Sequence, residues 1–204
     1  MRINLPNQIT IGRFVLAIVF IVLLARFEWS GMPGDAWMLD VAFWLFVVAA
    51  LTDILDGYLA RKYNQVTSFG RILDPFVDKI LVGGAFVLFL GSGFIDRATG
   101  QNVTGLSAWM VVVIISRELL VSGLRGFSEA GGKPYAANWW GKIKMLIQSI
   151  TVGYILQSIG GLRHVGWVVA LRPYVLWLTV LATAVSVYAY LLASREALSE
   201  QSRA

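Results

Sequence analysis

The chain contains no cysteine and a single histidine, His164. Disulfides, thiol nucleophiles and Cys- or His-rich zinc sites are thereby excluded. Charge is scarce too: Asp, Glu, Lys and Arg make up 14% of the 204 residues, where a soluble domain carries about a quarter. That scarcity excludes a soluble globular, acidic or disordered chain. Strict polar–apolar alternation is missing as well, which argues against a membrane β-barrel. No repeat, low-complexity tract or cleavable signal stands out, so the first apolar run reads as a retained span. What is abundant is apolar side chain, 57% of residues, with mean hydropathy +0.70. The chain reads as an all-α, polytopic integral membrane protein.

Residues 80–95, 98–116, 145–162 and 173–194 lack any Asp, Glu, Lys or Arg, and 14–25 and 41–52 form shorter apolar runs. A crossing helix needs about 20 largely apolar residues, which predicts six transmembrane helices near 8–26, 37–61, 71–95, 105–127, 140–160 and 172–194. Breakers fall between them: Gly31, Pro33 and Gly34; Gly131, Gly132 and Pro134; Gly160 and Gly161. Pro173 suits the first turn of the sixth span, and Gly83 and Gly84 suit close helix packing in the third. One membrane domain over 1–204 is the economical reading. Six spans place both termini on one side, together with thirteen of the seventeen basic residues; Arg26, Arg97, Arg163 and Arg172 fall on the other. Positive-inside bias puts the termini in the cytoplasm. The net charge of +5 then reflects basic cytoplasmic edges and not nucleic-acid binding. The tryptophans read as interfacial belts, and His164 as a solvated residue.

The few acids are not spread evenly. Asp53 and Asp56 are three apart, and Asp74 and Asp78 four apart. On helices both spacings put the carboxylates on one face, and Gly57 and Ala60 extend the Asp53 face at i+4 and i+7. Two helices joined by a short cytoplasmic turn can present four carboxylates to each other at the membrane edge. Each costs about 3 kcal/mol at a helix centre and less near the edge, and together they repel. Neither Arg61 nor Lys79 alone balances four acids. The plain alternative is that these residues cap helices or pair with Arg61, Arg71 and Lys79. A pair of divalent cations accounts for the facing geometry better, and all-oxygen ligands suit Mg²⁺.

The pattern D-x2-D-G-x2-A-R-x8-G-x3-D-x3-D, from Asp53 to Asp78, resembles the signature of the CDP-alcohol phosphotransferase family, with all eight fixed positions met. The start, Asn4-Leu5-Pro6-Asn7-Gln8-Ile9-Thr10 with Arg13, is similar to the glycerol-phosphate branch of that family, the bacterial phosphatidylglycerophosphate synthases. So are residues 116–125 and 140–144. The resemblance implies a CDP-alcohol phosphotransferase fold in a bacterial cytoplasmic membrane, with the active site facing the cytoplasm, and a homodimer. It implies transfer of a phosphatidyl group from CDP-diacylglycerol to the 1-hydroxyl of sn-glycerol 3-phosphate, releasing CMP. Carried over by position, Asp53, Asp56, Asp74 and Asp78 ligate two divalent cations, Mg²⁺ or Mn²⁺, and Asp78 is the general base. Thr52, Asp53, Gly57, Ala60, Arg61 and Gly70 fall to the CDP donor.

The acceptor carries its own phosphate and needs cations. Arg117 and Arg125 lie eight apart, close to two helical turns, and Lys142 stands at the start of span five. These three form the expected acceptor-phosphate cradle, because a planar guanidinium suits bidentate phosphate contacts. Lys133 and Lys144 read instead as ordinary membrane-edge anchors. The rivals are a transferase of the same family with another acceptor, making cardiolipin or a phosphatidylinositol phosphate, and more remotely a cation transporter. A transport path needs polar groups through the membrane depth, whereas these acids gather at one edge.

Overall fold

The computed structural model describes residues 5–32, 34, 36–62, 68–130 and 139–201; within its helices the side chains of 5, 6, 54, 56–61, 68, 69, 71, 72, 127–130, 140 and 191–201 lie outside the described set. Among the described residues seven α-helices follow one another: α1 Leu5–Arg26, α2 Ala36–Lys62, α3 Ser68–Asp78, α4 Gly84–Leu88, α5 Ala108–Ala130, α6 Trp139–Ile159 and α7 Gly166–Gln201. A π-helical turn, Lys79–Gly83, joins α3 to α4, and a 3-10 turn covers Ser92–Phe94. Among the described residues there is no strand, only a lone bridge between Ile95 and Asn102. The all-α reading therefore holds.

Among the described residues three helical stretches are long and apolar enough to cross a membrane: Asn7–Arg26, Ala36–Asp53 and Gly166–Tyr190. The second ends on Asp53, so the first acid of the constellation stands where the apolar stretch stops. Helices α5 and α6 have 23 and 21 residues but are more polar. Arg117, Glu118 and Arg125 interrupt α5, while α6 carries Lys142, Lys144, Gln148 and Gln157. Exposed Val15, Ile18, Val19, Val22, Trp44 and Val48 on α1 and α2 give these helices an apolar outer surface, as lipid contact requires.

Two expected features differ. The third span is not one helix over 71–95: it runs as α3, a wide π turn and α4, and stops at Leu88. Pro75 lies inside α3, where it has no N–H to donate. The π turn begins directly after Asp78, and its extra residue turns the following face relative to that of Asp74 and Asp78. The sixth span, α7, does not open at Pro173 but at Gly166, with Pro173 in its interior. A proline costs one backbone bond in a helix interior, and neighbouring groups compensate for that in membrane helices. Residues 131–134 lie outside the described set, whereas Gly160 and Gly161 do close α6.

The chain forms two compact units, Met1–Leu106 with Val152–Arg172, and Ser107–Thr151 with Pro173–Ala204. In the first, α1 packs on α2 through Phe20 and Phe46, ring centroids 5.7 Å apart, and on α3 through Phe14 and Phe76 at 6.3 Å. A Cβ on Gly84 would come 2.7 Å from Ile21 Cδ1, so the expected close packing is present at that position. Arg172 fastens the end of α6. Its Nε donates to Ser158 Oγ at 2.9 Å, Nη2 to the Ser158 carbonyl at 2.7 Å, and Nη1 to the Val103 carbonyl. Asp40 accepts from Gly161 N at 3.1 Å at the same helix end, where free carbonyls and turn N–H groups need partners.

At Gly93 the backbone passes against Phe27: an added Cβ would lie 1.9 Å from the Phe27 carbonyl oxygen. Trp29 N also donates to Gly93 O at 2.8 Å. Since backbone must move to admit a methyl group there, Gly93→Ala should destabilise the protein by about 2 kcal/mol. A thermal melt in detergent checks this, and an unchanged midpoint would show that the 27–29 segment yields freely.

In the second unit, α6 and α7 meet along a polar seam. Gln148 Nε2 donates to Thr183 Oγ1 at 3.2 Å, and the Thr151 and Thr179 hydroxyls lie 2.6 Å apart. All four side chains are buried. The threonine hydroxyls also bond carbonyls one turn back, Thr151 to Ile147, Thr179 to Val175 and Thr183 to Thr179. Small polar residues of this kind join helices where no hydrophobic difference separates helix from lipid.

Candidate active site

Helix α2 continues through Lys62 and α3 spans Ser68–Asp78, so both acid pairs stand on helical backbone, as their spacing predicts. Residues 63–67 between them lie outside the described set, as do the side chains of Asp56, Gly57, Ala60 and Arg61. The acids brought together are Asp53 and Asp74, and the group between them is Arg13 of α1. Arg13 Nη1 pairs with Asp53 Oδ1, and Nη2 donates to Asp74 Oδ1 at 3.1 Å. The Arg13 side chain is fully buried, while the carboxylates keep 36% and 37% exposure. Their outer sides thus remain reachable from solvent.

One guanidinium reaching two carboxylates on two helices means that those carboxylates converge on a single cation-sized position. Oxygen donors, partial exposure and converging charge fit a hard divalent ion. Among the described residues no three acidic or histidine side chains meet; Asp78 is half-buried one turn beyond Asp74 and has polar partners of its own. Lys79 points outward. Thr52 is half-buried, its hydroxyl donating back to Val48 O and Ala49 O at 2.9 Å each. Gly70 is buried in the first turn of α3.

Arg13 is the residue that charge counting missed. Its place near the N-terminus groups it with the basic edge, yet it sits within the apolar stretch Asn7–Arg26 and is 1% exposed. The signal was there: Arg13 is the lone charge between Ile11 and Ala25, and a buried cation in an apolar span requires anions.

The second unit holds a separate cationic cluster. Arg117 is 6% exposed. Its Nε donates to Ser186 Oγ at 2.8 Å, its Nη1 to Glu118 Oε1 at 3.4 Å, and its guanidinium lies 5.1 Å from the Tyr190 ring centroid. Glu118 Oε1 also pairs with Lys144 Nζ. A Cβ on Gly141 would come 2.9 Å from the Tyr190 hydroxyl, so the absence of a side chain there makes room for that ring. Arg117 Nη2 is buried without a hydrogen-bond partner, and a buried unpaired donor costs about 1–3 kcal/mol or more when charged. An incoming anion would relieve that cost.

Of the expected cradle, Arg117 is buried, while Arg125 and Lys142 are exposed and Lys142 lies over the Trp139 ring at 5.9 Å. Lys144 is not a surface anchor: it is 4% exposed, because Glu118 draws it inward. Ser186 and Tyr190 carry no motif of their own among the apolar residues of α7. His164 is exposed, as expected.

Residues 3–193 match the family model for CDP-alcohol phosphatidyltransferase. The chain is 39% identical over 203 residues to the CDP-diacylglycerol–glycerol-3-phosphate 3-phosphatidyltransferase of Bacillus subtilis (strain 168), covering 96% of this chain and 97% of that protein. It is 32% identical over 193 residues to the protein of the same name from Rickettsia bellii (strain RML369-C), with 95% and 96% covered. A protein named probable phosphatidylglycerophosphate synthase, from Mycobacterium tuberculosis (strain ATCC 25618 / H37Rv), is 37% identical over 175 residues, 85% of this chain and 75% of that protein. The chain belongs to the CDP-alcohol phosphatidyltransferase family.

Proposed function

We propose that the protein transfers the phosphatidyl group of CDP-diacylglycerol to the 1-hydroxyl of sn-glycerol 3-phosphate, giving phosphatidylglycerol phosphate and CMP. The observation that carries the reading is the convergence of Asp53 and Asp74 on one cationic position, inside a family match covering nearly the whole chain. The relatives' names supply donor and acceptor.

Asp53, Asp56, Asp74 and Asp78 would hold two divalent cations, Mg²⁺ or Mn²⁺. When bound, such ions neutralise a pyrophosphate and stabilise the departing phosphate oxygen. Asp78 takes the proton of the acceptor 1-hydroxyl. The resulting oxygen bonds to the phosphorus that carries diacylglycerol, the bond from that phosphorus to the CMP oxygen breaks, and CMP leaves with the electron pair. Arg61 pairs with donor phosphate, while Thr52, Gly57, Ala60 and Gly70 border the nucleotide. Arg117 holds the acceptor phosphate with its partnerless Nη2, and Arg125 and Lys142 add positive charge. The membrane arrangement is six spans with termini and active site in the cytoplasm, and the working form is a homodimer.

A purified sample supplied with CDP-diacylglycerol, Mg²⁺ and a panel of acceptors tests the substrate assignment by CMP release. Glycerol 3-phosphate should support turnover, and phosphatidylglycerol or inositol phosphate should not. Preference for either of the latter would move the protein to another branch of its family.

A further inference from the structure

Arg13 does more than fill space between helices. It is the lone charge in the stretch from Ile11 to Ala25, and its side chain is completely buried. It touches the same two carboxylates that the proposed function assigns to a divalent ion. Because α1 packs on both α2 and α3 and the Arg13 side chain is buried between them and the acids, the guanidinium is held at the acids by the fold. Two carboxylates from two helices would repel across a site of this kind. One planar guanidinium engages both and cancels part of that charge.

We propose that Arg13 is a built-in counter-ion of the metal site: it holds Asp53 and Asp74 together when no divalent ion is bound, and it weakens the ion's binding when one is. This rests on the reading of Asp53 and Asp74 as ion ligands. Two consequences follow from Coulomb's law. Without metal, the fixed positive charge stabilises the helix triad α1–α2–α3. With metal, the same charge sits a few Å from a dication and repels it, so affinity is lower than two carboxylates alone would give. Arg13 is thus a positioning residue. It keeps the acids in register and holds ion affinity in a range that allows exchange.

The test uses the full chain in detergent as wild type, Arg13→Gln and Arg13→Lys. Mn²⁺ binding is read from loss of the free-ion electron paramagnetic resonance signal, and thermal midpoints are taken in EDTA and in Mn²⁺. Arg13→Gln should melt about 5–10 °C lower in EDTA, gain more from Mn²⁺ than wild type does, and bind Mn²⁺ about tenfold tighter or more. Arg13→Lys keeps the charge but loses the fork, so it should fall between the two in EDTA and bind Mn²⁺ nearly as wild type does. Recovery of folded Arg13→Gln only when Mn²⁺ is present also supports the proposal. Unchanged or weaker Mn²⁺ binding by Arg13→Gln overturns it, as does failure to fold even with Mn²⁺. Wild type that binds no Mn²⁺ sinks the ion-ligand reading itself; wild type that binds, with an unaltered variant, sinks only the role of Arg13.

Discussion

Asp78→Asn should lower turnover by about 10²–10⁴-fold, the range by which a positioned general base speeds a reaction, while CDP-diacylglycerol binding largely survives. Asparagine keeps the shape of the side chain and its half-buried place at the end of α3, but it cannot take a proton at neutral pH. The acceptor hydroxyl is a poor nucleophile until that proton leaves. The π turn that starts at Lys79 fixes the backbone directly after Asp78, so the substituted side chain should keep its position. Steady-state CMP release together with equilibrium donor binding separates the two effects. Near-normal turnover would remove Asp78 from proton transfer, and equal loss of binding and turnover would make it a ligand only.

Arg117→Ala should raise the acceptor KM by about 10–150-fold, the equivalent of about 1.5–3 kcal/mol for a charge-assisted hydrogen bond, and leave the donor KM little changed. The reason lies in how Arg117 is held. Ser186 and Glu118 occupy Nε and Nη1, Tyr190 covers the guanidinium, and Nη2 is left buried without a partner. Two fixed nitrogens and a ring leave little rotamer entropy to lose when phosphate arrives. Arg117→Lys keeps the charge but cannot bond Ser186 and phosphate in one plane, so its acceptor KM should lie between wild type and alanine. Equal rises in both KM values would contradict the assigned pocket, and a melting curve shows whether the variant has simply lost its fold.

How much of this could be read from residues alone depends on which physical signal each feature leaves. The helices α1, α2, α5 and α6 fall close to the expected spans, because an apolar run bounded by glycines leaves few other solutions. The third span differs where the π turn after Asp78 breaks it and α4 stops at Leu88, and the sixth where Pro173 does not open the helix. Pro173 lies inside a helix, as Pro75 does, and a rule drawn from helices in water overstates the breaking power of Pro173 in an apolar setting.

The acid pairs were legible because spacings of three and four have meaning only on a helix. Their counter-charge was not, because Arg13 is forty residues from Asp53 and sixty-one from Asp74, and no local period links them. The cluster around Arg117 shows the same limit. Thr179, Thr183, Ser186 and Tyr190 recur at four, three and four, and Gly141, Lys144, Gln148 and Thr151 at three, four and three. Each set marks one helix face, and the two together form the seam of α6 and α7. A scan for helical periodicity among polar residues, beside the usual one for apolar residues, would have found both.

That seam also bears on the transporter alternative, which called for polar groups through the membrane depth. Beyond Lys144 the seam residues are neutral, and the threonine hydroxyls bond one another or carbonyls of their own helices. Such groups fasten helices and leave no chain of exchangeable sites. Membership of a transferase family agrees with this.

A protein that joins CDP-diacylglycerol to glycerol 3-phosphate releases one CMP for each lipid it makes. The most direct measurement supplies purified protein with CDP-diacylglycerol, radiolabelled glycerol 3-phosphate and Mg²⁺, and counts CMP and lipid-extractable label together. Equal amounts of both are expected, and neither in EDTA. CMP without labelled lipid, or labelled lipid formed equally well in EDTA, would contradict the proposed function.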